Sequence, residues 1–244
     1  MKRVYYDLHL HSCLSPCGDG DMTPYNLVNM AALNGLDVIA LTDHNSCKNC
    51  PAAVQAGKEA GITVIPGIEV NTSEEIHAVC LFPTLEAALA FDAVIEAALP
   101  PIQNDPDVFG HQVIMDSEDG ILSEYGPLLI NACDISIMDL PALALKHRGV
   151  CFPAHIDRSS YSILASLGAI PPECGFHAAE ISRRGDEAAL LREQEALRGM
   201  LLLGSSDAHY LEDISERGAW LFLEDAQPHT VVDALRTGAA EFMR

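Results

Sequence analysis

The chain has 244 residues, 49% of them hydrophobic, so it is long enough to form one α/β barrel or two modest domains around a real core. Its 14 Lys and Arg residues against 35 Asp and Glu residues give a formal charge of −21, which repels nucleic-acid phosphates and anionic membrane surfaces. This composition excludes a disordered chain and favours a small substrate over a stable nucleic-acid or membrane partner.

Strand-like apolar runs alternate with helical patterns along most of the chain. Strands are predicted at Val4–His11, Asp37–Thr42, Thr63–Val70, His77–Phe82, Gly149–His155, His177–Ser182 and Met200–Ser205. Helices are predicted at Pro24–Leu36, Pro51–Ala60, Leu85–Leu99, Leu140–His147, Asp186–Arg198 and Pro228–Arg236. This alternation indicates βα units around parallel strands, in one domain that spans residues 1–244.

Two segments interrupt the alternation. The stretch Pro100–Asp134 is rich in Pro, Asp, Gly and Asn, which predicts an insertion at about residues 100–134 that forms a lid, a binding loop or a simple surface excursion. The apolar stretch Trp220–Leu223 predicts either an extra strand or a contact surface. The sequence does not indicate an oligomeric state.

The amino-terminal run Met1–Asp7 reaches a charged residue before the apolar core of a signal peptide could form, and no apolar run is long enough to cross a membrane. We therefore expect a cytoplasmic location, with the eight cysteines reduced. Cys80, Cys133 and Cys151 lie in apolar stretches and are expected in the core.

Residues that can ligate metals lie where apolar runs give way to polar residues, at the carboxyl ends of predicted strands. In the first strand, alternation places Asp7, His9 and His11 on one face. The same alternation sends Leu8 and Leu10 to the other face. The two imidazoles are better explained as metal ligands than as hydrogen-bonded strand histidines, and Asp7 as a residue that orients a ligand.

The next strands supply further donors. His44 follows the second strand and is a candidate ligand, whereas Asp43 beside it is also typical of a helix cap. Glu69 lies within an apolar strand, where an unpaired charge would be unfavourable by several kcal/mol. A bound cation compensates it more simply than a salt bridge, because no Lys or Arg lies nearby in sequence. His77 begins another apolar run and could share that ion.

Two later strands end in the same residue types. His155 ends one of them and is followed by Arg158, which can approach a phosphate but is also explained as an exposed turn residue. Asp207 and His209 close the last predicted strand with a carboxylate and an imidazole two residues apart. If the strands close into a ring, both ends of the chain contribute to one site.

Five motifs occur in a fixed order: Asp-Leu-His-Leu-His-Ser at 7–12, Thr-Asp-His-Asn at 42–45, Pro-Gly-Ile-Glu-Val at 66–70, Pro-Ala-His-Ile at 153–156 and Ser-Asp-Ala-His at 206–209. Together they resemble the PHP family of polymerase-associated and histidinol-phosphatase domains, over about residues 4–210. The resemblance implies a distorted (β/α)7 barrel with a metal site at the carboxyl ends of its strands.

The resemblance also implies two or three divalent ions of zinc, iron or manganese. It implies one ion held by His9, His11, Glu69 and Asp207, a second by Glu69, His77 and His155, and a third by His44 and His209. The first loop departs from the family, which commonly offers an Asp or His there. Cys17 or Asp19 is the candidate that would complete the third site.

A different metal site is also compatible with the sequence. Cys13, Cys17, Cys47 and Cys50 provide four thiols on two neighbouring loops, enough for a structural zinc or an iron–sulfur cluster. Against this alternative, Cys13 is also explained as a core residue, and His44 competes for the same space.

For function, the resemblance implies a phosphoesterase that hydrolyses a small phosphomonoester through a metal-bridging hydroxide. Glu69, Asp207 and Arg158 are the expected catalytic residues, and Arg158, Arg183 and Arg184 are candidates to hold phosphate oxygens. Two alternatives stay open. A nuclease or phosphodiesterase acting on nucleotides or oligonucleotides would use the same chemistry, and a metal cluster without catalysis could stabilise the barrel or a partner interface.

Overall fold

A computed structural model describes residues 1–244 as a mixed α/β fold. The strands are β1 (Lys2–Leu10), β2 (Val38–Leu41), β3 (Thr63–Asn71), β4 (His77–Leu81), β5 (Val113–Met115), β6 (Ile121–Glu124), β7 (Val150–Pro153), β8 (Ala178–Glu180), β9 (Leu201–Leu203), β10 (Trp220–Leu223) and β11 (Glu241–Met243). The α-helices are α1 (Pro24–Leu33), α2 (Cys50–Ala60), α3 (Leu85–Ala98), α4 (Pro106–Phe109), α5 (Leu140–Lys146), α6 (Ile163–Leu167), α7 (Glu187–Glu193) and α8 (Pro228–Thr237). Short 3₁₀ helices span Pro172–Cys174, Glu195–Leu197 and Leu211–Asp213.

The main sheet has seven strands in the order β11-β10-β1-β2-β3-β4-β7. Strands β1, β2 and β3 are parallel, whereas β4 is antiparallel to both β3 and β7. The parallel pair β8–β9 forms a separate small sheet. The Ile156 N–H, just after β7, donates to the carbonyl of Glu180 in β8, and the His11 N–H, just after β1, donates to the carbonyl of Ala208, beyond β9. The small sheet therefore connects β7 to β1, and the strands curl around a shared interior.

All seven predicted strands are present. The expected mixed α/β fold with a curled sheet is confirmed, but the regular (β/α)7 order is not. The prediction that the strands are parallel is wrong for β4. Only residues 72–76 separate β3 from β4, and a parallel crossover needs a dozen residues or more, so the two strands form a hairpin. Because β4 runs antiparallel to β3 and β7, its first residue, His77, lies at the rim where those two strands end.

The alternation expected for residues 7–11 is kept only in part, because His9 and His11 converge with their Nε2 atoms 3.2 Å apart but Leu8 and Leu10 do not share a cluster. Leu8 packs in a cluster of 20 buried residues with Val4 and Tyr6, whereas Leu10 belongs to a second cluster of 38. The register between β1 and β2 shifts between Asp7 and Leu10, and such an irregularity turns the following side chains to the other face. The core therefore continues up to the rim on both faces of the sheet.

Helix boundaries follow local chemistry. Helix α1 begins after Thr23, whose side chain accepts the Asn26 N–H, and it ends three residues earlier than predicted because Gly35 adopts a left-handed φ of 77°. The helix predicted over Asp186–Arg198 is α7 followed by a 3₁₀ turn, and α6 was not predicted. The stretch Trp220–Leu223 is an extra strand that pairs antiparallel with β1.

The stretch predicted as an insertion contains α4 and the β5–β6 hairpin. The side-chain amide of Asn49 donates to the Val113 carbonyl and accepts the Met115 N–H, and Val113 N–H donates to Cys13. These bonds hold the hairpin against the first two loops of the rim. No helix of the chain is both long and apolar enough to cross a bilayer.

Candidate metal centre

The candidate ligands meet at one rim of the curled sheet. His9 lies near the carboxyl end of β1, His44 follows β2, and Glu69 lies within β3. His77 is the first residue of the reversed strand β4, His155 follows β7, and Asp207 and His209 follow β9. The topology thus brings together side chains that are two hundred residues apart in sequence.

The carboxylate of Glu69 is fully buried at the centre of this cluster. Five imidazole nitrogens surround it: His44 Nδ1 at 2.9 Å, His9 Nε2 and His77 Nδ1 at 3.1 Å, His155 Nε2 at 3.2 Å and His11 Nε2 at 3.4 Å. Burial alone would raise the pKa of this carboxyl group, but the charges of neighbouring imidazoles lower it well below its ordinary range. Glu69 therefore stays ionised.

Asp207 forms a second carboxylate beside the first. Its Oδ1 lies 3.1 Å from His11 Nε2 and 3.4 Å from His9 Nε2, and its Oδ2 lies 2.6 Å from Arg158 Nη1. Burial opposes ionisation of Asp207, but His9 and His11 lower its pKa well below the ordinary range. Its backbone φ of 52° and that of His155, 29°, are left-handed, and such backbone strain in non-glycine residues is concentrated at functional sites.

Three groups of side chains have donor atoms that converge within 4.8 Å: His9, His11, Glu69 and Asp207; His44, Glu69 and His77; and His11, His44 and His209. The first group has the membership implied for the first ion. In the second group His44 replaces His155, although His155 Nε2 still lies 3.2 Å from Glu69. The third group adds His11 to His44 and His209. Cys17 and Asp19 belong to none of the three groups, although the exposed Cys17 lies beside the imidazole of His44.

The donor set fits divalent metal ions. His44 Nδ1, Glu69 Oε2 and Asp207 Oδ1 are buried and have no hydrogen-bond partner within the chain. His44 Nδ1 and Glu69 Oε2 are only 2.9 Å apart but are not aligned for a hydrogen bond, as expected of two donors aimed at a third centre. Imidazole nitrogen and carboxylate oxygen suit zinc, iron and manganese.

A carboxylate that the sequence reading missed supports the first ligand. Glu180, buried in β8, lies 3.0 Å and 3.1 Å from His9 Nδ1 through its two oxygens and accepts the His155 backbone N–H. A hydrogen bond at Nδ1 leaves Nε2 of His9 available for a metal. Glu180 stands in the apolar run Ala178–Ile181, so the reasoning applied to Glu69 could have found it.

A second chain of hydrogen bonds supports His11. Its Nδ1 lies 3.0 Å from the hydroxyl of Ser15, which donates to Asp43 at 2.8 Å. Asp43 also accepts the backbone N–H and hydroxyl of Ser12, both at 2.7 Å. Asp43 therefore supports His11 through the hydroxyl of Ser15 and does not cap a helix.

The remaining predicted polar residue, Asp7, contacts the backbone next to a candidate ligand. Asp7, expected to orient a ligand, accepts the backbone N–H groups of Ser206 and Ser215 at 2.9 Å and 3.0 Å. It thereby anchors the loop that carries Asp207.

Five of the imidazoles divide into two protonation classes. Burial would lower the pKa of His9, His11 and His44, but the surrounding carboxylates raise that of His9 well above 6.5 and those of His11 and His44 to about 9. Burial lowers the pKa of His77, and it lowers that of His209 to about 3. The first three imidazoles therefore carry protons at pH 7 when no metal is bound.

A polar cavity of about 270 Å³ opens beside the cluster. Arg158, Arg183 and Arg184 line it together with His155 and Asp207, and no hydrophobic residue contributes. The side chain of Arg158 is 46% exposed, so part of its guanidinium faces the cavity while Nη1 contacts Asp207. The structure thus brings the three predicted arginines together next to the carboxylates.

The four-thiol alternative has no counterpart in the structure. Cys47 and Cys50 are buried side by side, and the thiol of Cys50 points to the carbonyl oxygens of Leu41 and Gly67 at 3.5 Å and 3.7 Å. No thiol belongs to a group of converging metal donors. Cys80, Cys133 and Cys151 are core residues as predicted.

Comparisons with known proteins identify relatives for part of the chain. A 79-residue stretch is 43% identical to a 5′-3′ exoribonuclease of Haemophilus influenzae, covering 31% of this chain and 28% of that protein. A 73-residue stretch is 37% identical to a 3′,5′-nucleoside bisphosphate phosphatase of Chromobacterium violaceum, covering 30% of this chain and 25% of that protein. The chain therefore aligns with less than a third of the length of either relative.

The fold is shared with a solved nuclease. The lesion-specific endonuclease PfuEndoQ of Pyrococcus furiosus superposes with a TM-score of 0.72 at 18% identity, over 99% of this chain and 58% of that chain. At this identity the likeness concerns the fold alone. The family model described as the PHP domain matches residues 7–125, which include His9, His11, His44, Glu69 and His77. Through these residues, the part of the chain from residue 7 to residue 125 matches the PHP domain family.

Proposed function

We propose that this chain is a metal-dependent phosphoesterase that hydrolyses a small phosphomonoester. One observation carries the proposal: a cavity lined by three arginines and no hydrophobic residue borders Asp207, which belongs to the donor group of His9, His11 and Glu69. Arginine forks match phosphate oxygens, and the imidazole and carboxylate donors match divalent ions. Anion-binding groups and metal-binding groups therefore face the same space in a protein of net charge −21.

When bound, divalent ions would supply Lewis acidity at the phosphorus centre and the means to ionise water near neutral pH. Glu69 would hold two ions at once, since its two oxygens face different groups of imidazoles. Asp207 would bind metal through Oδ1 while Oδ2 accepts from Arg158 and so orients its guanidinium. The other donors of Arg158, with Arg183 and Arg184, would bind non-bridging phosphate oxygens as charge develops.

A nuclease is the second candidate. The resemblance to the exoribonuclease favours it, because the same donors would serve a phosphodiester. The net charge of −21 opposes a long anionic substrate, so we rank the small phosphomonoester first. Nucleotide release from single-stranded oligonucleotides, with an affinity that falls steeply as salt rises, would reverse this ranking.

The test is a panel of phosphomonoesters and oligonucleotides, assayed with the zinc-, iron- and manganese-loaded protein. We expect phosphate release that Glu69→Gln and Asp207→Asn each abolish while circular dichroism shows an unchanged fold. Glu124→Gln is the matched control, because this carboxylate is half-exposed and pairs only with exposed His111. Turnover retained in either cluster variant would reject the proposal. Tightly held metal without turnover on any substrate would favour the non-catalytic alternative.

A further inference from the structure

An exposed aromatic residue stands at the edge of the metal centre. The ring of Tyr161 stacks on the imidazole of His77, with ring centroids 4.7 Å apart and planes inclined by 29°. The backbone carbonyl of Tyr161 accepts the His77 N–H at 3.0 Å. Tyr161 is nevertheless 47% exposed, so the stack continues the cluster outward to solvent.

The chain holds Tyr161 in an unfavourable backbone conformation. Its φ is 53°, in the left-handed region that non-glycine residues rarely adopt. The turn from His155 to Ser162 is closed by the Ser162 hydroxyl, which donates to the Arg158 carbonyl at 2.6 Å. The same turn therefore supplies a candidate metal ligand, a candidate phosphate ligand and this ring.

The position of the Tyr161 ring is suitable for contact with the leaving group of a phosphomonoester. The arginine-lined cavity borders Asp207 and His155. Tyr161 contacts His77, which belongs to a different group of metal donors from Asp207. One face of the ring contacts His77, and Tyr161 is 47% exposed, so part of its surface is accessible to a planar group. An exposed aromatic face binds nucleobases and other planar rings by stacking.

We propose that Tyr161 is the platform on which a planar, aromatic leaving group stacks, so that the preferred substrate is a phosphomonoester of a nucleoside type. This inference rests on the proposed phosphoesterase function and adds a residue that sets specificity. It also distinguishes two possible roles for the ring. A ring that only supports His77 affects every substrate equally, whereas a platform affects only substrates that carry a planar group.

The experiment compares adenosine 5′-monophosphate with ribose 5-phosphate, which share the phosphoester and the sugar and differ in the base. We expect the native protein to prefer the nucleotide in kcat/KM, and Tyr161→Asn to lower that preference by about 5- to 150-fold, the range typical for loss of one base-stacking ring. Asn tolerates a positive φ, so the substitution removes the ring without adding backbone strain. Tyr161→Phe keeps the ring and should keep the preference.

Tyr25→Asn is the matched control, because Tyr25 is also an exposed tyrosine, at 44%, and lies on α1 away from the cluster. Saturation-transfer NMR with adenosine supplies a readout that needs no turnover, and its signal should be lost in Tyr161→Asn alone. Equal loss on both substrates, or no change in their ratio, would overturn the platform while leaving the phosphoesterase intact. Absence of turnover on any phosphoester would overturn both.

Discussion

Loading metal into the metal-free protein should expel protons, and their number follows from the buried charges. Glu69, Glu180 and Asp207 place three carboxylates in one buried cluster. Without metal, protons on His9, His11 and His44 supply the compensating charge, and for this reason their pKa values are raised. A nitrogen must be free of its proton before it can bind a metal, so the ions replace these protons.

The pKa values of the imidazoles determine how many protons are released when metal binds. A group with a pKa of about 9 is about 99% protonated at pH 7, so His11 and His44 should each release close to one proton and His9 a third. Arg158 neutralises part of the charge on Asp207, which makes about two to three protons the expected total. His77 and His209 should release none, because their pKa values lie below 6.5.

The assay is calorimetric titration of zinc at pH 7 in buffers of different ionisation enthalpy, in which the slope of the observed heat gives the protons released. Metal affinity should rise with pH between 7 and 9, because fewer protons compete for the nitrogens. Glu180→Gln should reduce the release by about one, since it removes the charge that holds a proton on His9. A slope near zero in the native protein would refute this reasoning.

Two further predictions concern residues that support the ligands. Glu180→Gln should weaken metal binding by about 10- to 100-fold in a chelator competition, because it weakens the bond that orients His9, and an unchanged affinity would contradict that role. Asp92→Asn should lower the free energy of unfolding in urea by about 1.5–3 kcal/mol, because buried Asp92 accepts the Cys47 N–H and the Lys48 ammonium in the loop after His44. Glu96→Gln, at the exposed end of the same network, should change it by less than about 1 kcal/mol, and equal losses in the two variants would count against the special role of Asp92.

The sequence predicted most of the site because apolar strands leave a clear signal. A carboxylate inside such a strand requires compensation, and Glu69 is surrounded by five imidazoles. The same signal is present at Glu180, which lies in the apolar run Ala178–Ile181. The antiparallel direction of β4 is also predictable from the sequence, since the connection between β3 and β4 is too short for a parallel crossover.

Other features depend on packing that no local pattern encodes. The register shift after Asp7 sends Leu8 and Leu10 to different clusters, although strict alternation would keep them together. The sharing of His11 and His44 between groups depends on distances set by three neighbouring strands. The left-handed backbone of Asp207 is likewise a result of tertiary contacts, because aspartate alone does not dictate it.

The most direct measurement is anomalous diffraction from crystals of the metal-loaded protein, recorded on both sides of the absorption edge of each candidate metal. The account predicts at least two peaks within about 2.0–2.3 Å of the Glu69 carboxylate oxygens and the facing imidazole nitrogens. It also predicts that one of them lies between His9, His11 and Asp207. Ions bound only elsewhere, with Glu69 contacting protein groups alone, would contradict the central claim.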